Sequence, residues 1–438
     1  MVAAPALRPG SAAEARPPAL LPYSWLGLAI AIALLLNGVF LTYLVALIAV
    51  FVRHSPRPKG DSRNFGWHFL IPCRDEQAVI SGTIGYLTRH FPRAHVWVID
   101  DAPDDATGTI VQQHLSRNPN VHLVTRERPY ARTGKSEALN AAYRIMSSWL
   151  NEMNADRRNT IVAVIDADGR LAPGALDVVA ADHLFGNRET GAVQIEVRMI
   201  NRDDRTPLPR AGRVRNLLGR VLIRLQDIEF RTVCSAVQLS RRAVHTVAMG
   251  GNGQYMRLTA LDEVGGDQQR PWRGSLQEDF EIGLHVLLTG GRTEYTPDTY
   301  IDQEALPSPG RLVVQRTRWS QGMMQCIRYL PELWRSRHLS HPARAAMFRA
   351  EGGWTLLGPY VAAALTRLAL WGIVYWRTCE RPIGAGRAIG FGVAFSLMAA
   401  ISYLATWRAF SRILRRRNGE FAGPEGLTYV RTTSAGVL

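Results

Sequence analysis

The sequence predicts an α/β domain with a mostly parallel sheet between helices, joined to transmembrane and interfacial helices. Two observations carry that expectation. Four short apolar runs, WHFLIPC, HVWVIDD, VHLVTRE and IVAVIDAD, are separated by stretches of helical periodicity. That alternation is the pattern of parallel strands joined by crossover helices. Three longer apolar runs lie nearer the two ends of the chain and exceed the length of ordinary strands.

From the N-terminus, residues 1–22 read as a disordered tail and 23–53 as a first transmembrane helix. Trp25 to Val52 carries no formal charge and exceeds the ~20 residues needed to cross the hydrocarbon core. A secretory leader would have a shorter apolar core and small residues after it. Here Arg53, His54, Arg57 and Lys59 follow, so the segment reads as an anchor. The stretch 354–376, apolar except for Arg367, and the stretch 388–408 are the second and third candidate spans. A basic tail, 411–438, contains Arg412 and Arg415 to Arg417. Cationic flanks mark the cytoplasmic side, which places residues 54–353 in the cytoplasm and the chain in the plasma membrane as a multi-pass protein. Arg367 reads equally as part of a polar path or as a snorkelling side chain.

Bulk composition agrees. Of 438 residues, 47% are hydrophobic and 20% charged, which excludes a wholly disordered chain. The net charge of +15 gathers as arginine beside the apolar runs, where attraction to anionic lipid explains it. No zinc-finger spacing, RNA-binding aromatic motif or basic zipper supports a nucleic-acid partner. Cys73, Cys234, Cys326 and Cys379 are far apart and suggest neither a zinc site nor a disulfide framework. Gly134-Lys135-Ser136 resembles the end of a P-loop, but Pro129 stands where its first glycine belongs.

In a parallel sheet, ligands bind at the carboxyl ends of the strands. Three of the four predicted strands end in chemically useful residues: Pro72 to Glu76, Asp100 to Asp105, and Asp166 to Asp168. Carboxylates spaced like Asp166 and Asp168 can straddle a hard divalent cation, although an isolated Asp-x-Asp is commonly a solvated turn. Clustered acids such as Asp100, Asp101 and Asp105 fit a site where ligand donors or a cation offset their repulsion. Lys135 offers a point charge for a phosphate, or is a surface lysine at a helix start. Glu278-Asp279 opens a helix entering the core; the pair is either first-turn helix charge or a source of a general base. Arg316 and Arg318 can fork onto a diphosphate and Trp319 can stack on a sugar, or all three belong to an interfacial helix. The arginine-rich run 213–230 reads as a membrane-surface or core helix. Gly250 to Gln254 allows close approach to the backbone, or is a plain turn.

Taken together, IPCRDE, VIDDAPDD, GKSEALN, VIDADG, QED and QRTRW resemble, in order and rough spacing, the membrane-bound family 2 glycosyltransferases. That group includes the cellulose, chitin and hyaluronan synthases, and β-monoglucosyldiacylglycerol synthases are also similar to this chain. The resemblance covers about residues 65–325. It implies a GT-A-type nucleotide-sugar domain over 54–310, interfacial helices over 311–350, a UDP-sugar donor and a Mg2+ or Mn2+ ion. By position, Asp168 is the metal ligand, with Asp166 beside both metal and nucleotide. Asp101 binds the base, assisted by Asp105, Glu76 and Pro72. Lys135, Arg316 and Arg318 lie near the phosphates. Asn252, Gly253, Glu278 and Trp319 face the acceptor, and Asp279 is the base of an inverting transfer. Ala102-Pro103 replaces the family's small Gly-Ser pair. The expected product is a β-linked polysaccharide, with transfer of one sugar to a lipid such as diacylglycerol as the alternative. A non-catalytic membrane scaffold would have lost these carboxylates. An accessory protein or a second copy of the chain is a further expected partner.

Overall fold

The computed structural model describes residues 23–102, 104–353 and a few positions between 401 and 412. The predicted tails, the span at 354–376 and nearly all of 388–408 therefore lie outside the described residues, as do Pro103 and Arg367. The chain divides into two compact units at residue 45. Helix α1, Tyr23–Val52, is 30 residues long and holds no charged residue. Among the described residues no helix is long and apolar enough to cross a membrane. The backbone of α1 is helical throughout.

The second unit is built on one eight-stranded sheet in the order β3-β2-β1-β4-β7-β6-β8-β5. Its first half follows the predicted alternation: β1 (Gly66–Cys73), α2 (Ile80–His90), β2 (His95–Asp100), α3 (Thr107–Leu115), β3 (Val121–Thr125), α4 (Lys135–Glu152) and β4 (Thr160–Val164). These four strands pair in parallel, β1 lying between β2 and β4. β1 and β4 are buried along almost their whole length, which is why they read as continuous apolar runs. Alternate residues point to opposite faces. Phe69 and Ile71 of β1 pack with Ile80, Ile84 and Leu87 of α2 on one side. Leu70 packs with Leu139, Tyr143 and Met146 of α4 on the other.

The second half departs from simple alternation. A short β5 (Arg170–Leu171) and α5 (Ala175–Val179) lead to β6 (Thr190–Met199), which pairs in parallel with β8 (Arg292–Gln303). Between β4 and β6 lies β7 (Gln254–Arg257), antiparallel to both. The connections reverse direction about β1, since β2 and β3 lie on one side of it and β4 on the other. The crevice outside the carboxyl ends of β1 and β4 is therefore the expected ligand site.

Helix α6 (Arg213–Ile228) buries Leu222, Ile223, Leu225 and Ile228, while its first turns expose Val214, Leu217 and Leu218. The sequence allowed a core or a surface helix; the two halves divide those roles. A π-helical segment, Glu229–Cys234, joins it to α7 (Ser235–Arg242). Helix α8 (Leu258–Gly265) packs on β7's side of the core, and α9 (Glu278–Leu288) is buried almost throughout. Helices α10 (Pro309–Cys326), α11 (Leu330–Arg335) and α12 (His341–Gly353) complete the described chain, with Phe280, Leu284 and Leu287 of α9 packing on Tyr329, Leu333 and Met347. Each large apolar side chain so buried contributes about 1.5–3 kcal/mol, enough to fix α9 between the sheet and the last helices.

Candidate active site

The carboxyl end of β1 is ringed by acids. The Cys73 thiol is pushed up first by its burial, then by Glu76, Asp100, Asp105 and Asp166. Those four carboxylates come from the chain ends after β1, β2 and β4 and gather around one buried atom. Pro72 is half-buried in β1 and aligned with Ile99 of β2. Asp100 is itself raised by burial and by Asp101 and Asp105, and its Oδ1 is buried without a hydrogen-bond partner.

Asp101 follows β2 and is only 7% exposed. Its Oδ1 accepts from the Arg126 guanidinium and from the Arg132 backbone N–H at 3.0 Å. Arg132 also donates to the Ala102 carbonyl from Nε at 2.9 Å and from Nη2 at 2.6 Å. The loop 126–133 thus folds over the acidic loop, and neither arginine was singled out from the sequence. Asp105 accepts from the backbone N–H groups of Thr107 at 3.0 Å and Gln77 at 3.2 Å, tying the start of α3 to the loop after β1. Glu76 receives its own restraint there, its backbone N–H donating to Thr107 Oγ1 at 2.9 Å.

A second group forms where β4 ends. Lys135, the first residue of α4, places Nζ 2.9 Å from Asp166 Oδ1 and 3.4 Å from Glu278 Oε1. Asp279 is 7% exposed, and its Oδ1 accepts from the Phe280 N–H at 2.8 Å. Gly251 leaves room beside this group: a Cβ there would lie 3.2 Å from Asp279 Oδ2 and 3.6 Å from Lys135 Nζ. Burial and the neighbouring Glu278 push the Asp279 carboxyl up to about 7, against the opposing pull of Lys135. Three segments distant in the chain therefore bring Lys135, Asp166 and the adjacent Glu278 and Asp279 together.

Asp168 is raised to about 6, chiefly by burial and then by Asp166, with Glu304 adding to the effect. Glu304 follows β8, and the acidic run IDQE that carries it was visible in the sequence without any pattern to connect it to Asp168. Asn252 is buried. Its Oδ1 accepts from the Asp166 N–H at 3.3 Å, and its Nδ2 donates to Gln303 Oε1 at 3.3 Å. Its side chain braces the turn that carries Asp166. Gly253 is closely packed. It has φ of +73°, and a Cβ would come within 2.8 Å of Ile195 and Ile301.

Helix α10 carries the remaining candidates. Arg316 pairs with Glu229 at 2.6 Å, and its guanidinium lies over the Trp319 ring at 4.5 Å. Trp319 meets Phe230 edge-on. Arg316 is thus paired with the π-helical segment. An arginine that can form a buried pair leaves water for a fixed carboxylate as readily as for a phosphate. Arg318 is half-buried two residues further along.

Residues 66–322 match the model of the family described as glycosyltransferase like family 2. The chain belongs to that family. Among curated relatives of this family 2 glycosyltransferase, the β-monoglucosyldiacylglycerol synthase of Synechocystis sp. is 26% identical over 278 residues. That match covers 61% of this chain and 49% of the relative. An N-acetylglucosaminyltransferase of Sinorhizobium fredii is 23% identical, covering 70% and 69% respectively. The chain spans about half the length of the first of these relatives. A solved mannosyltransferase of Pyrobaculum calidifontis, in complex with GDP-Man and Mn2+, is 18% identical. It aligns with 88% of this chain and 98% of its own, at a TM-score of 0.54. That likeness shows the GT-A-like α/β fold.

The donor set of the glycosyltransferase fits a hard divalent cation. Among the described residues no three His, Cys, Asp or Glu side chains form a ready-made metal group. Two carboxylates suffice where a diphosphate and water supply the other ligands. Asp168 is held above its usual range by burial and then by the neighbouring Asp166, and Asp166 already draws the Lys135 ammonium to 2.9 Å. Both observations mark a place where an added positive charge would be stabilising.

Proposed function

We propose that this glycosyltransferase moves a single sugar from a UDP-sugar to a lipid hydroxyl, inverting the anomeric centre, at the cytoplasmic face of the plasma membrane. The observation that carries the reading is the convergence of Lys135, Asp166, Glu278 and Asp279 in one cleft. Asp101, Asp105, Glu76 and Pro72 hold the nucleoside from the neighbouring strand ends. Asp166 and Asp168 hold a Mg2+ or Mn2+ ion, which when bound neutralises charge on the departing diphosphate. Lys135 lies where it adds to that neutralisation.

Asp279 takes the proton of the acceptor hydroxyl. The freed oxygen forms the bond to the anomeric carbon as the bond from that carbon to phosphate breaks, and the electron pair leaves with the nucleoside diphosphate. One displacement from the face opposite the leaving group converts an α-linked donor into a β-linked product. Burial suits Asp279 to the role, because a base poised near the working pH both deprotonates and accepts a proton efficiently.

The lipid acceptor is favoured by the glycolipid synthases among the relatives and by the charge-free α1. A growing polysaccharide is the second reading, favoured by the QRTRW run of α10. Membranes holding the full chain are incubated with labelled UDP-sugars and, separately, GDP-sugars, with magnesium or manganese. Label entering a chloroform-soluble product is the expected result. Label in polymer that resists organic extraction moves the assignment to the second reading. No transfer from any donor overturns both.

A further inference from the structure

Glu281 lies one turn beyond the Glu278–Asp279 pair and is 0% exposed. A buried carboxylate persists only when its charge and lone pairs are met, and here three donors meet them. Oε2 reaches back to the Ser275 N–H at 2.8 Å. Oε1 accepts from Arg328 Nη2 and from the Tyr329 hydroxyl, both at 2.7 Å. Tyr329 is in turn set edge-on against His285 of the same helix, with ring centres 4.7 Å apart.

These bonds matter because the start of α9 has no side-chain cap. Its N-cap, Gln277, makes no capping bond, and the first-turn acids Glu278, Asp279 and Glu281 suit the helix dipole without closing that cap. An uncapped first turn frays readily. The loop before it is held from outside instead. Gln325 Oε1 accepts from the Leu276 N–H at 2.9 Å, Ser275 Oγ accepts from the Gln277 N–H at 3.1 Å, and Glu281 joins that loop to the segment after α10.

We propose that Glu281 is a positioning residue for sugar transfer, clasping Arg328 and Tyr329 so that the turn bearing Asp279 stays aimed at the cleft. The proposal rests on Asp279 being the base. A base displaced by about 1 Å loses on the order of 100-fold in rate while the donor subsite stays whole. The clasp therefore acts on turnover and leaves nucleotide affinity alone.

The test uses the full chain and compares Glu281→Gln, Tyr329→Phe, Arg328→Met and Arg328→Lys with Asp279→Asn. Leu150→Ala serves as a control, removing a buried side chain at the far end of α4. Measured quantities are melting temperature, UDP affinity by calorimetry, and kcat and KM for the donor. Glu281→Gln, Tyr329→Phe and Arg328→Met are expected to lower kcat by about 30-fold or more, with UDP affinity within about threefold of the parent. Arg328→Lys restores a large part of the turnover that Arg328→Met loses. Leu150→Ala lowers the melting temperature with kcat nearly unchanged. If Glu281→Gln fails to fold, Tyr329→Phe and Arg328→Met carry the comparison, since each removes one donor and keeps the carboxylate. Folded clasp variants that turn over like the parent, or lose no more turnover than Leu150→Ala, overturn the proposal. Full turnover by Asp279→Asn instead overturns the assignment of the base.

Discussion

Burial raises the carboxyl groups of Asp279 and Asp168 above the ordinary range. The proposed base predicts that Asp279→Asn lowers kcat by about 10²–10⁴-fold while UDP still binds, as read by turnover and calorimetry on the same preparation. Because burial and Glu278 raise Asp279 to about 7, the base is protonated below neutrality and transfer rises with pH through that region. Glu278→Gln removes a charge that raises Asp279, so the acid limb of the rate profile moves to lower pH; a limb that stays fixed contradicts the assignment. Stability follows the opposite direction. Asp279 and Asp168, raised to about 7 and about 6, bind more protons in the folded chain than in the unfolded chain between about pH 4 and 7. Folding free energy is therefore lost as pH rises through that window. Asp279→Asn should melt higher than the parent at pH 8 and nearly level with it at pH 4. For the metal, Asp168→Asn should abolish the dependence of turnover on added manganese together with most of the turnover itself, measured after chelation and titration back.

At the scale of elements, α10 reaches the turn bearing the proposed base through a glycine. A Cβ at Gly322 would lie 2.6 Å from both Cβ and N of Gln277, the residue before Glu278. Gly322→Ala must move α10 or that turn, at a cost of about 1–3 kcal/mol for overpacking, and is expected to lower both melting temperature and turnover. The first half of the sheet was legible in the sequence because parallel strands buried on both faces are unbroken apolar runs, and the helices between them keep their own period. The second half was less so. β7 is four residues long and owes its place to β4 and β6 on either side, which no local pattern announces. The same holds for the site. Asp166, Asp168, Asp279 and Lys135 stand at strand and helix ends, where residue type and position coincide. Glu281 looks like one more first-turn acid until Arg328 and Tyr329, 47 and 48 residues away, are seen against it. Arg316 had two carriers of negative charge available to it, a ligand phosphate and Glu229, and only the fold brings Glu229 near.

For the whole molecule, the proposed membrane location predicts that the full chain stays in the pellet when membranes are washed with alkaline carbonate. Release into the supernatant would remove α1 as an anchor. In the proposed function, donor chemistry and acceptor chemistry occupy different parts of the architecture. The proposed nucleotide groups are loops at the ends of β1, β2 and β4, while the proposed base rides on α9, between the sheet and the helices α10 to α12.

The acid-ringed thiol at the end of β1 has a practical consequence. Burial and four carboxylates keep Cys73 in its protonated form, and only the thiolate reacts readily with alkylating probes. Maleimide dyes should leave Cys73 almost untouched in the native protein, so a tag found on it reports opening of this end of the sheet, whereas the half-buried Cys234 has no such protection from burial.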